Sequence, residues 1–283
     1  MKKLFKLPLV LLSISLLLTG CNNNNNASST STTDTNTTSS PTSTINRFDY
    51  GDYYLSIDSS LSGSSLQSSL NKLNQEKFNR KHYSYKTLRI FYRYCEQDYL
   101  DTAPKGKMYG FYDNSLVSET WDNQATWNHE HVWPNSRGGN KVEDDLHMVR
   151  PTAVSKNSER GNKAYAESGA YDPGKYFKEY RGIAARIIFY CAIRDTSLKI
   201  VDSTSNSSSA MGKLSDLLKW NLQYLPSVDE NASLALRIEQ NRNQKIYEHP
   251  QGQGNRNPFI DHPEYACKIW GSTNSETKKI CGI

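Results

Sequence analysis

From Asn22 to Asn46 the chain is almost entirely Asn, Ser and Thr, with a single acid, Asp34. Such a stretch buries too little apolar surface to offset the entropy of ordering it, so it reads as a hydrated tether. It therefore divides the chain before any fold is considered. Ahead of it, Lys2, Lys3 and Lys6 precede an apolar run, Leu7–Leu18, that is short for a membrane span. The run closes on Leu18-Thr19-Gly20-Cys21, which resembles the cleavage box of bacterial lipoproteins. Residues 1–20 are expected to be a signal peptide and 21–46 a lipidated Cys21 with its tether. The remainder, 47–283, holds about 235 residues, enough for one generous domain. The expected location is the outer face of the cell membrane, or the medium.

Charge says little about partners. The formal net charge of +5 falls to +2 once Lys2, Lys3 and Lys6 are removed. Any argument for nucleic acid must then rest on local residues. Beyond Cys21 there are four cysteines, Cys95, Cys191, Cys267 and Cys281. An even number in an exported chain permits disulfides, and the expected pairs are Cys95–Cys191 and Cys267–Cys281.

Periodicity points to an α+β fold, helices around a small sheet. Leu66, Leu70 and Leu73 mark one helix, and Tyr85, Leu88 and Cys95 a second, capped by Ser84. Further helices are expected over 176–193, 214–220 and 234–246. Residues 101–123 read as strand and loop. Glu130–Trp133 and Leu146–Val149 read as short strands, with Pro151 opening a helix that runs to about Asn162. Asn255–Trp270 reads as loop.

Only six histidines occur, and His129, His131 and His147 fall within nineteen positions, beside Glu130, Asp144, Asp145 and Asn157. A strand, a polar loop, a second strand and a helix would fold Asn157 back over Glu130 and His131. A carboxylate and an amide oxygen are hard ligands suited to Mg²⁺, with Mn²⁺ or Ca²⁺ as substitutes. A neutral imidazole beside them can take a proton from water. Arg160, one turn after Asn157, could hold a phosphate. Together these groups suit phosphodiester hydrolysis.

The block Trp127-Asn128-His129-Glu130-His131-Val132-Trp133-Pro134-Asn135-Ser136 resembles the central motif of the bacterial endonuclease I family. Asp145-Leu146-His147-Met148-Val149-Arg150-Pro151-Thr152 and Asn157-Ser158-Glu159-Arg160-Gly161-Asn162 are similar to its second and helix motifs. The tail from Gln253 to Glu264 is similar to a further signature. The resemblance implies a secreted nuclease with a ββα-metal (His-Me) finger. It implies His131 as general base, Glu130 and Asn157 as ligands of one Mg²⁺-like ion, and DNA and RNA as substrates cut with little sequence preference. Arg150, Asn162 and His129 are the expected substrate contacts, and a monomer is the simplest assembly. Two positions depart from the pattern, His129 where relatives carry Arg and Met148 where they carry Asn.

Plainer readings stand beside these. His147 suits a buttress in a strand, Arg150 and Arg160 could pair with nearby acids, and the aromatics from Trp121 to Tyr190 suit a core as well as base stacking. The block around Asn257–Pro263 suits architecture, its Asp261 or His262 satisfying nearby backbone groups. A zinc hydrolase using His129, His131 and His147 and a non-enzymatic surface lipoprotein are the rival functions.

Overall fold

Around Ile183 and Ile187 the residues are apolar on nearly every side, Arg186 excepted, and such a helix must sit inside other layers. The computed structural model describes residues 48–205 and 210–283, which belong to one compact unit. The expectations for Cys21, the signal peptide and the tether lie outside the described residues. Helices α1 (Gly63–Lys77) and α2 (Arg89–Cys95) come first, then strands β1 (Lys107–Tyr109) and β2 (Leu116–Ser118). Strands β3 (Trp127–His131) and β4 (Val149–Ala153) follow, with α3 (Val154–Arg160) directly after β4. The rest is helical: α4 (Tyr180–Arg194), α5 (Leu214–Gln223), α6 (Leu234–Glu248), α7 (Pro258–Asp261), α8 (Glu264–Trp270) and α9 (Ser275–Cys281).

Helix α4 is buried from Gly182 to Ile193 and packs against α1, α5, α6 and α7. The two sheets are antiparallel pairs, β1 with β2 and β3 with β4. The result is helices around two small sheets, an α+β arrangement. In the second sheet Glu130 lies opposite Arg150, and His131 opposite Val149.

The loop from β3 to β4 doubles back at Gly138-Gly139. Gly138 has φ +91°, and a Cβ at Gly139 would lie 1.9 Å from the Trp133 carbonyl oxygen. Only glycine fits such a close backbone approach.

Several sequence expectations shift. Pro151 does not open a helix; it lies within β4, opposite His129. In a two-stranded sheet every strand is an edge, so a missing N–H is tolerated there. Leu146–Met148 is a turn rather than a strand, because the Asp145 carboxylate accepts from the His147 amide at 2.8 Å and its carbonyl from Met148 at 3.1 Å. The tail expected as loop carries α7 and α8. Asn257 caps α7, accepting from the Phe259 N–H at 3.0 Å, and Pro258 takes the first helical position. Asp261 is buried and accepts from Arg256 at 2.7 and 2.8 Å and from Tyr54 at 2.6 Å.

The Cys267–Cys281 disulfide joins α8 to α9. The expected Cys95–Cys191 bond is absent: both thiols are free and buried. Cys95 lies on α2, where it accepts from Arg242 at 3.1 Å, and Cys191 lies on α4. Burial pushes the Cys95 thiol up to about 12 and Cys191 well above its ordinary value, so neither offers a thiolate.

Candidate active site

Alternate residues of a strand face opposite ways, and β3 uses both faces. Trp127, His129 and His131 turn toward an aromatic wall. Tyr85 stacks on the His131 ring at 4.9 Å and meets His129 edge-on at 4.8 Å, while Trp121 lies 4.9 Å from Trp127. Asn128 and Glu130 turn toward α3. Asn157 donates its amide to Asn128 Oδ1 at 2.7 Å and to the His129 carbonyl at 3.2 Å. Arg160, one turn later on α3, reaches Glu130 Oε1 at 3.4 Å.

Glu130 is buried, and Oε1 also accepts from the Tyr112 hydroxyl at 2.7 Å. Tyr112 in turn shares a hydrogen bond with Tyr165. Burial pushes the Glu130 carboxyl up, and Arg160 and Tyr112 oppose that rise. Tyr112 sits at φ +78°, a conformation a bulky side chain adopts at a cost of about 1–3 kcal/mol. The strain is local to the residue whose hydroxyl holds the carboxylate.

His131 ends the strand. Its Nε2 lies 3.2 Å from Glu143 Oε2, and Asn135 donates to the same oxygen at 3.3 Å. Burial draws the imidazole below its ordinary pKa, with Glu143 pulling the other way. An ionised carboxylate can only accept, so Nε2 carries the proton and Nδ1 the lone pair. His131 is thus neutral at neutral pH and has one nitrogen available as a base.

The structure does not leave Arg160 as an open phosphate clamp. Its side chain is 1% exposed; Nη1 donates to the His131 carbonyl at 2.9 Å and Nη2 to the Val132 carbonyl at 2.5 Å. It ties the end of β3 to α3. Arg150, expected to contact substrate, is buried with both arms on Glu96, at 2.9 and 2.8 Å. Arg242 meets the same carboxylate from α6. Arg150 is therefore a partner of Glu96 in the interior, 2% exposed.

His129 is 8% exposed, and burial pushes its ring down to about 4. Its Nε2 has no hydrogen-bond partner. Asn162 lies exposed beyond α3, where its carbonyl accepts from buried Arg137 at 2.8 Å. His147 is buried against Tyr190, with Nε2 3.4 Å from the Asn255 carbonyl. Among the described residues no three His, Cys, Asp or Glu side chains converge as a metal site. The tri-histidine zinc reading therefore lacks its ligand set.

A smaller oxygen set does fit a hard cation. Glu130 uses only Oε1 in hydrogen bonds, and Asn157 uses only its amide nitrogen. Glu130 Oε2 and Asn157 Oδ1 remain, one on β3 and one on α3, and both are of the type Mg²⁺ prefers.

Sequence reasoning missed Glu143, Tyr85, Tyr112 and Tyr165. Glu143 had a signal, as an acid in the loop that returns beneath His131. The tyrosines had none, because they lie 18–53 residues away from these partners along the chain.

The chain resembles known proteins over part of its length. An extracellular ribonuclease of Bacillus amyloliquefaciens is 38% identical over 180 residues, 56% of this chain and 58% of that protein. An extracellular ribonuclease of Bacillus subtilis (strain 168) is 39% identical over 170 residues, 52% of this chain and 55% of that protein. The match thus spans a little over half of each relative. No solved structure matches the chain. Residues 62–264, which hold β3, β4, α3 and every side chain of the site, match the Endonuclease I family model, and the chain belongs to that family.

Proposed function

We propose that this protein is a metal-dependent endonuclease that hydrolyses phosphodiester bonds of RNA and DNA outside the cell, with little sequence preference. The β3–β4–α3 unit is the ββα-metal finger of that enzyme. The observation that carries the reading is the pairing at the end of β3: Glu130 and His131 are adjacent, one turned to α3 and Asn157, the other to Glu143. Family membership and the two extracellular ribonuclease relatives support it.

Glu130 Oε2 and Asn157 Oδ1 are the groups that would hold the cation, Mg²⁺ or in its place Mn²⁺ or Ca²⁺. When bound, the ion offsets charge growing on the phosphate and the leaving oxygen. His131 Nδ1 accepts the proton of the attacking water. Glu143 fixes the ring's tautomer and offsets the positive charge the ring then carries. Tyr112 and Arg160 hold the carboxylate in one orientation, so little reorganisation accompanies the reaction. The chain acts as a monomer, exported and held at the membrane through lipid on Cys21, or released.

The test is cleavage of single- and double-stranded DNA and of RNA by the full chain with Mg²⁺, Mn²⁺, Ca²⁺ or Zn²⁺. Wild type should cut with Mg²⁺ or Mn²⁺, and His131→Ala should lose at least a hundredfold in kcat, the usual worth of a general base. Intact nucleic acid in every lane, with His131→Ala indistinguishable from wild type, would leave only a non-enzymatic surface protein.

A further inference from the structure

Beside His131 lies a cavity of about 270 Å³ that the hydrolytic groups do not use. Its walls include Tyr85, Lys86, Arg89, Trp121, Asn128 and His129. Tyr85 is also the ring stacked on His131, and Asn128 is also the acceptor that holds Asn157. The cavity therefore shares two walls with the proposed hydrolytic centre.

Its chemistry is unusual for a surface hollow. Trp121 and Tyr85 are half-exposed aromatic rings. Arg89 lies 4.9 Å over the Trp121 ring, and among the described residues neither Arg89 nor Lys86 forms an ion pair. His129, more than nine-tenths buried, has an Nε2 with no hydrogen-bond partner in the protein. An orphaned buried polar atom normally has a ligand or water to satisfy it. Flat aromatic faces, uncompensated cations and one polar ring nitrogen form a site for a planar, polar, phosphate-linked group. A metal would not choose it, because two cations line it.

Resting on the nuclease reading above, we propose that this cavity is a subsite for one nucleobase of the substrate strand, next to the phosphate that is cut. Trp121 and Tyr85 supply the stacking faces, Lys86 and Arg89 the phosphate contacts, and His129 Nε2 one edge contact. Stacking tolerates any base, which agrees with low sequence preference. A base inside an intact duplex cannot enter, so single strands and unpaired bases are the favoured substrates.

The test uses the full chain and a short single-stranded oligonucleotide with one abasic residue, against the same oligonucleotide with all bases. With Mg²⁺, wild type should cut the bond beside the abasic position about tenfold more slowly, the worth of one base–aromatic stack. Trp121→Leu should cut the complete oligonucleotide about tenfold more slowly and lose the distinction, while Trp121→Phe should keep it. Binding in EDTA, read by fluorescence anisotropy, should show the same pattern without any cleavage. Undiminished wild-type cutting and binding at the abasic position would overturn the subsite. So would a Trp121→Leu variant that is slower overall yet still discriminates. Normal discrimination in binding with no cleavage in any metal would instead refute the nuclease reading and keep the subsite.

Discussion

Replacing Arg160 by Met separates two roles that one guanidinium could play. Arg160 is buried, donates to the carbonyls of His131 and Val132, and lies 3.4 Å from Glu130. Methionine keeps the apolar stem but leaves three carbonyl oxygens, that of Gly161 included, and a buried carboxylate short of a partner. Breaking a buried ion pair in this way costs about 3–5 kcal/mol. In a domain of this size each kcal/mol moves Tm by about 2–4 °C, so a fall of about 6–20 °C is expected. Thermal unfolding followed by circular dichroism in EDTA reads this directly. At a temperature where the variant is folded, its affinity for an oligonucleotide in EDTA should stay within about twofold of wild type, because no phosphate contact has been removed. Turnover should fall, since the strand end that carries His131 is no longer tied to α3. A variant with unchanged Tm and weakened oligonucleotide binding would refute the strut and restore Arg160 as a phosphate ligand.

Three further outcomes are expected. Glu143→Gln removes the group that raises the His131 pKa, so the acid limb of kcat/KM moves to lower pH; kcat falls about ten- to a hundredfold as the imidazolium loses a charge-assisted bond. An acid limb that stays in place, or moves up, would mean that His131 is not the titrating base. His147 is held neutral by burial down to about 3, whereas in the unfolded chain it takes a proton below about 6.5. Its contribution is complete above that pH and is lost as pH falls, about 2 kcal/mol between pH 7 and pH 5; urea unfolding of His147→Gln should show a pH dependence smaller by that amount, and equal slopes would contradict it. Reducing the Cys267–Cys281 bond, which spans 14 residues, should destabilise the fold by about 3 kcal/mol, and dithiothreitol should leave the Tm of the Cys267→Ser/Cys281→Ser double variant unchanged.

The helices were legible because their signal is periodic and local. Leu66, Leu70 and Leu73 all face inward from α1, and the segments at 214–220 and 234–246 are helical in the structure. Residues whose state depends on a distant partner were not legible. Arg150 resembles any basic residue in a strand until Glu96, 54 positions earlier, is brought against it. Cys95 and Cys191 had the parity of a disulfide, but parity carries no distance, and the pair lies unbonded on two helices. Pro151 carried a helix-start signal that the ladder with β3 overrode, because an edge position accepts proline as readily as the first turn of a helix does.

The candidate site was legible as a set of residues but not as a geometry, and β3 shows why. Five residues, Trp127–His131, alternate between an aromatic wall and α3. On that pattern Glu130 and His131 should serve opposite faces and never meet. In the proposed centre they are brought together at His131, the last paired residue of the strand, beyond which the chain leaves the sheet. Arg160 spans this point, donating to the His131 carbonyl while lying against the Glu130 carboxylate. Register is therefore the feature on which the proposed chemistry depends most. One residue inserted within β3 would send Glu130 to the tyrosine wall and the imidazoles to α3, with every residue type of the site still present in the sequence.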